Sequence, residues 1–252
     1  MQDLSLLIAA FFLPLFPFGM IFNALFQRLP NVPLRVSLLL LWPLPGIWIL
    51  QSMAPVIPVW LTYWALCSAL LYGFRAVVVK DFRVWIGFLA SSTWALSWIA
   101  LSFGAKPVEV FFHVLAFSLP LLLLILLVAE LEKRYESAYV SVISGLAQAL
   151  PRLSVLLVIT MLAAIGSPIF PAFVSMLDTV SHAIAVLPSI AIGLVIVWLL
   201  WSWSGIELLQ QLLIGTSPQV QQRDISQPVM MIYTSLLLLL AIGGLYLSRV
   251  LL

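Results

Sequence analysis

The 252 residues are 64% hydrophobic and only 8% charged, with a mean hydropathy of +1.20. A soluble globule of this size could not hide so much apolar surface, so the composition specifies an all-α, polytopic membrane protein. The net charge of +2 includes no basic run and gives no sign of a nucleic-acid partner, while the single cysteine excludes intrachain disulfides and cysteine-ligated zinc or iron–sulfur clusters.

Backbone polar groups cannot be left unpaired in lipid, so each crossing needs about 20 mostly apolar residues in a helix. Eight segments qualify, at 4–27, 36–53, 57–79, 84–104, 108–131, 152–176, 183–207 and 229–250. The first, MQDLSLLIAAFFLPLFPFGMIFNALF, opens on Asp3 and lacks both the basic start and the small-residue cleavage site of a signal peptide, so it is expected to be retained as a span. Prolines interrupt five of the eight: Pro14 and Pro17, Pro43 and Pro45, Pro120, Pro168 and Pro171, and Pro188. In a membrane bundle these are either packing kinks or breaks that border a polar cavity. Cys67 is expected to be a small buried packing residue. The ten tryptophans, several near span ends such as Trp60, Trp64, Trp201 and Trp203, are expected to be mostly interfacial anchors or lipid-facing bulk.

Loop charges test the span count independently. With eight spans, Arg28, Arg35, Arg75, Lys80, Arg83, Lys133, Arg134, Arg152 and Arg223 fall on one side, and only Lys106 and Arg249 on the other. The positive-inside rule makes the first side cytoplasmic and places both termini outside, as in a protein of the bacterial inner membrane.

Several local patterns recur in a fixed order. SALLYGFRAVVVKD (68–81) leads into FRVWIGFLASSTWALSWIALSFG, with Asp81, Arg83 and Ser92 in register. FFHVLAFSLPLLLLILLVAELEKRY follows, then SGLAQALPRLSVLLVITMLAAIGSPIFPAF (144–173), with Gly145, Leu146, Pro151, Gly166, Pro168 and Phe173, and finally SGIELLQQLLIG (204–215). The series resembles the antiporter-like subunits of respiratory complex I, Mrp-type cation/proton antiporters, membrane hydrogenases and inorganic-carbon accumulation complexes. It covers roughly residues 60–252. The chain thus reads as one transmembrane domain, 1–252, in which 57–252 is antiporter-like and 1–56 supplies opening helices. Full-length members of that family have about fourteen helices, built on two inverted repeats. Eight helices imply a truncated relative that keeps the C-terminal portion.

The resemblance also implies which side chains to weigh. Such subunits move protons along a hydrated line of titratable groups, which requires groups whose charge state can change inside the membrane. His113 matches the first histidine of the family's His-x3-His-x3-Lys helix, but Phe117 and Leu121 stand at the next two positions of the same helix face. His113 is therefore either a remnant held by hydrogen bonds or a surviving relay group. Glu130, with Glu132, Lys133, Arg134 and Glu136, reads as a solvated helix end or as a group facing a half-channel or partner. Arg75 either snorkels to the interface or pairs with Glu130 or Glu207. Glu207 replaces a basic residue of the family pattern, and Asp178 and His182 read as loop residues. Nucleophile elbow, Gly-rich phosphate loop and metal-ligand spacing are all missing from the sequence, so neither an enzyme of its own nor a cofactor is expected.

Taken together, these residues point to an accessory, non-translocating subunit of a multi-subunit proton-coupled membrane complex. It would sit in lipid beside a larger antiporter-like subunit, and a peripheral cytoplasmic subunit is a further candidate partner. The resemblance leaves open a complex I-like module or inorganic-carbon (CO2/bicarbonate) uptake, where any zinc chemistry would belong to a carbonic-anhydrase-like partner. The alternative is an active proton or cation transporter that uses His113, Glu130, Arg75 and Glu207.

Overall fold

Two spans are interrupted in mid-course, and both interruptions fall at prolines. The computed structural model describes residues 2–53, 56–140, 143–215 and 222–251. The first span consists of α1 (Gln2–Phe12) and α2 (Gly19–Arg28), separated by the segment holding Pro14 and Pro17. Neither proline can donate a helical hydrogen bond, and each ring clashes with the preceding turn. The second span joins α3 (Val32–Leu41) to α4 (Leu44–Met53) through a kink at Trp42 and Pro43. Three uninterrupted helices follow: α5 (Val59–Val78), α6 (Phe82–Ser102) and α7 (Pro107–Tyr135). A one-turn helix, α8 (Leu146–Ala149), leads into the second broken span, α9 (Pro151–Ala164) and α10 (Pro171–Val186). The bundle ends with α11 (Pro188–Leu213) and α12 (Gln227–Leu251). Among the described residues, counting α3 and α4 together, six helices are long and apolar enough to cross a membrane and α9 and α10 are shorter apolar helices; the eight spans expected are reached when α1–α2 and α9–α10 are each taken as one crossing.

One boundary moves. The sixth span was expected at 152–176 and the seventh at 183–207, but α10 runs on to Val186 and α11 starts at Pro188. A broken crossing spends residues on its non-helical middle, so it needs a longer stretch of sequence than a continuous helix. Asp178 and His182 are accordingly on α10 rather than in a loop.

The bundle is built around α6. Apart from Phe88, its residues from Trp85 to Ile99 are all buried, enclosed by α2, α5 and α7. This explains the correction needed for the tryptophans. Trp60 and Trp203 do face outward, but Trp85, Trp94, Trp98 and Trp201 are among the largest fully buried side chains. Cys67 is the converse case: it is exposed on α5, because it lies on the flank of that helix with no neighbour over it.

The loops expected on the arginine-rich side do converge at one end of the bundle. Asp81 N-caps α6, its carboxylate accepting from the backbone N–H of Arg83 (2.7 Å) and Val84 (3.4 Å). Asp224, from the distant α11–α12 connection, does the same for α9 through the N–H groups of Arg152 (2.8 Å) and Leu153 (3.3 Å). Each carboxylate satisfies orphan donors and lies against the positive end of a helix dipole. A backbone bridge between Asp81 and Tyr139 fastens the α7–α8 connection to the same end.

Candidate functional site

A helix break inside a membrane leaves carbonyl groups without intrahelical donors, and in ion-conducting proteins such carbonyls face water or ions. Here indole N–H groups cover four of them. In the first break, Trp98 of α6 donates to the carbonyl of Leu13 (2.9 Å) and Trp64 of α5 to that of Phe16 (2.8 Å), while Ser68 accepts from the Phe16 N–H (3.0 Å). In the second break, Trp198 of α11 donates to the carbonyls of Ile165 (3.1 Å) and Gly166 (3.2 Å). Gly166 takes φ +75° there, the left-handed conformation that ends α9 cheaply only without a Cβ. Gly244 lets α12 close directly onto the backbone of Ile169 and Phe170, where any side chain would collide.

His113 lies where α7 passes the start of α10. It is 5% exposed, with Nε2 3.4 Å from the Thr93 carbonyl and Nδ1 2.6 Å from Ser175 Oγ. A carbonyl can only accept, so Nε2 carries the proton and Nδ1 accepts from the serine hydroxyl. Both ring nitrogens are thereby engaged. Along the same face, Phe117 packs 5.0 Å from the imidazole and 5.5 Å from the ring of Trp201, and Leu121 is fully buried. The polar line continues as fixed donor–acceptor pairs: Trp201 to Ser92 (2.9 Å), Ser92 to the Ala69 carbonyl (2.7 Å), Trp94 to Ser118 (3.0 Å) and Trp85 to Ser204 (3.1 Å).

The other three candidates lie apart from His113. Glu130 is bound on its own helix by Lys133 (2.7 Å) and Arg134 (2.8 Å). Arg75 lies with its guanidinium 5.8 Å from the centre of the Phe88 ring, and Glu207 accepts from Gln211 (2.7 Å). The pairing of Arg75 with Glu130 or Glu207 does not occur among the described residues.

Glu132, read only as part of a solvated helix end, ties three helices together. It holds Arg35 of α3 at 3.1 Å and Arg83 of α6 at 2.6 Å, and Arg35 is only 2% exposed. Arg35 also donates to the carbonyls of Leu29 (2.8 Å) and Pro30 (3.1 Å). The charge run around Glu132 gave no sign of this partner 97 residues away. Among the described residues, no three His, Cys, Asp or Glu side chains converge as a metal site.

Residues 4–201 match the family described as NADH:quinone oxidoreductase/Mrp antiporter, transmembrane. The chain belongs to this family. The antiporter family's fold is also found in solved structures. A chain of respiratory complex I from Thermus thermophilus, with bound NADH, superposes with a TM-score of 0.85 at 21% identity, over 96% of this chain and 54% of that one. A chain of the Mrp complex from Dietzia sp. DQ12-45-1b gives 0.85 at 16% identity, over 99% and 57%. A chain of the archaeal membrane-bound sulfane sulfur reductase gives 0.80 at 18% identity, over 96% and 51%. The chain thus spans about half the length of the antiporter-family chains it matches. A curated but uncharacterised protein of Aquifex aeolicus (strain VF5) is 21% identical over 229 residues, which are 88% of this chain and 91% of that one.

Proposed function

We propose that this protein is an accessory, non-translocating member of the antiporter family, packed in a multi-subunit proton-coupled complex beside a longer antiporter-like subunit. One observation carries the reading. Among the described residues, no lysine, aspartate or glutamate is buried; the buried polar side chains are Asn23, Arg35 and His113 together with serines and threonines. Serine and threonine hydroxyls and indoles do not change charge near neutral pH. A line made of them, with Phe117 and Leu121 filling the face beyond His113, can hold helices in register but lacks the titratable steps of a proton wire.

The indole-covered breaks support the same reading, since the carbonyls of Leu13, Phe16, Ile165 and Gly166 are already satisfied within the bundle. For the host complex, we favour energy-coupled uptake of inorganic carbon slightly over a complex I-like module, by family analogy alone. The excess of cations at the end formed by the α5–α6, α7–α8 and α11–α12 connections supports placing that end in the cytoplasm of a bacterial inner membrane, with both termini outside.

The test is purification of the tagged protein in mild detergent, followed by reconstitution into vesicles carrying an internal pH dye. The expected result is stoichiometric recovery with a longer antiporter-like protein, no proton flux from the isolated chain, and complex activity that survives His113→Gln. Flux from the isolated chain that His113→Gln abolishes would sink this reading in favour of an active transporter.

A further inference from the structure

The second break leaves part of its backbone on the outside of the bundle. Ser167, Pro168, Ile169 and Phe170 form a turn closed by the Phe170 N–H on the Ser167 carbonyl (3.4 Å). Proline at the second position and a φ of +85° at the third, Ile169, make it a type II turn, which ordinarily takes glycine at that third position. A β-branched residue adopts this φ rarely, because its Cβ is pushed against the preceding carbonyl oxygen. The Pro168 carbonyl therefore faces the same way as the Ile169 side chain. That way is outward, since Pro168 is exposed and Ile169 is 56% exposed. Trp198 covers the carbonyls of Ile165 and Gly166, and α12 packs on the Ile169–Phe170 peptide. Among the described residues, nothing donates to the Pro168 carbonyl.

The turn also lies deep in the membrane. The 14 residues of α9 and the 16 of α10 separate it from the two ends of the bundle by about 21 and 24 Å of helix at 1.5 Å per residue. It therefore falls within a hydrocarbon layer about 30 Å thick. Irregular backbone is not tolerated there against lipid, because acyl chains cannot donate to a free carbonyl and no water is present to do so.

We propose that this turn is the docking point of a transmembrane helix from another subunit, and that the helix supplies a side-chain donor, from serine, threonine, asparagine or tryptophan, to the Pro168 carbonyl. The inference rests on the reading that the chain is packed beside another subunit. On α9, Val155, Ile159 and Leu162 are exposed at i, i+4 and i+7, one helix face that leads to the turn and along which the incoming helix lies. The strain at Ile169 fits the same contact. Glycine would hold the turn without strain, so an exposed isoleucine kept at this φ points to a use for its side chain outside the chain. A second copy does not fit. A two-fold interface would set this patch against itself, and Val155, Ile159, Leu162, Pro168 and Ile169 hold no side-chain donor.

The experiment uses the tagged protein purified in mild detergent together with its co-purifying subunit, with photocrosslinking benzoylphenylalanine in place of Ile169 or Ile159. Adducts are located by mass spectrometry. Both positions are expected to join one transmembrane segment of that subunit, within about one turn of a serine, threonine, asparagine or tryptophan. Ile169→Gly should weaken the association about tenfold, as loss of a side chain at the centre of an interface does, while the unfolding midpoint of the isolated chain does not fall, because the strained φ is relieved. Adducts to lipid alone or to a second copy would overturn the proposal, as would a crosslinked segment without such a donor or an association unchanged in Ile169→Gly. A subunit that co-purifies without crosslinking at either position overturns this docking face and leaves the accessory reading standing. Absence of any co-purifying subunit overturns both.

Discussion

Trp98 of α6 donates its indole N–H to the carbonyl of Leu13 at 2.9 Å, within the proline break of the first span. The donor is fully buried, so neither water nor headgroup competes for the bond. Removing it leaves a buried carbonyl without its donor. Trp98→Phe keeps most of the ring volume and deletes only the N–H, so the loss should be about 1–3 kcal/mol, read as a lower unfolding midpoint in mild detergent. Trp64→Phe, which affects an exposed bond, should cost less. If Trp98→Phe leaves the midpoint unchanged, the break is hydrated and does not depend on the indole.

The same logic applies to the second break, where one indole serves two carbonyls. Trp198→Phe should also destabilise by about 1–3 kcal/mol. Ile165 and Gly166 lie on the strained side of this break, which includes the positive-φ residue Ile169 (φ 85°). Hydrogen exchange should therefore rise locally at the start of α10 in this variant, more than in Trp98→Phe. Uniform exchange in both would mean that Trp198 acts by bulk rather than by its N–H.

Glu132 is the countercharge of a nearly inaccessible guanidinium. Glu132→Gln removes that charge from Arg35 and should cost about 3–5 kcal/mol, because an uncompensated buried charge is left behind. Arg83→Gln should cost far less, as its side chain is a third exposed and its pairing is screened. Adding Arg35→Met to Glu132→Gln should restore much of the loss, since no charge then remains buried. The parent, Glu132→Gln, Arg35→Met and the double variant form a thermodynamic cycle measured by detergent unfolding, and simple additivity would show that Glu132 and Arg35 are not coupled.

Asp224 links two regions far apart in sequence by capping α9. Asp224→Ala should cost about 1 kcal/mol and, more visibly, free the α11–α12 connection, which is otherwise held by Arg134 donating to the Arg223 carbonyl and by Gln222 donating to the Arg134 carbonyl. Limited proteolysis at 222–226 should speed up in this variant and not in Asp81→Ala, where the cap is lost from a different connection. Equal rates would separate the cap from the order of that connection.

What was legible in the sequence follows from the kind of signal each feature leaves. Spans are apolar runs and loop cations cluster, so the apolar helices and the arginine-rich end could be read directly. Prolines flagged the breaks near Pro14 and Pro168, but they flagged Pro120 equally, and it lies inside the unbroken α7. Pairings across the bundle leave no local signature: nothing near Glu132 points to Arg35, and nothing near Trp98 points to Leu13. Tryptophan is also ambiguous by nature, because its amphipathic ring suits an interface as well as a buried carbonyl. Trp201, close to a span end in sequence, is fully buried because α11 continues for three further turns beyond it. Phe117 and Leu121 were informative because a helix face is periodic, so their contrast with His113 could be read without knowing the neighbours.

His113 can be tested for its role separately from its packing. Ser175→Ala leaves Nδ1 without its donor and should cost about 1 kcal/mol. His113→Ala removes the ring that packs on Phe117 and should cost about 2–4 kcal/mol, so any change in transport would be confounded with instability. His113→Gln is the cleaner variant. Its amide can donate to the Thr93 carbonyl and accept from Ser175, as the imidazole does, but it cannot take up a proton. Stability of His113→Gln should therefore lie within about 1 kcal/mol of the parent protein, and proton-coupled activity of the assembled complex should be unchanged. If the variant is stable and the complex loses proton flux, the residue carries protons. The hydroxyl and carbonyl that hold its ring would then be the parts of a relay rather than the ties of a scaffold.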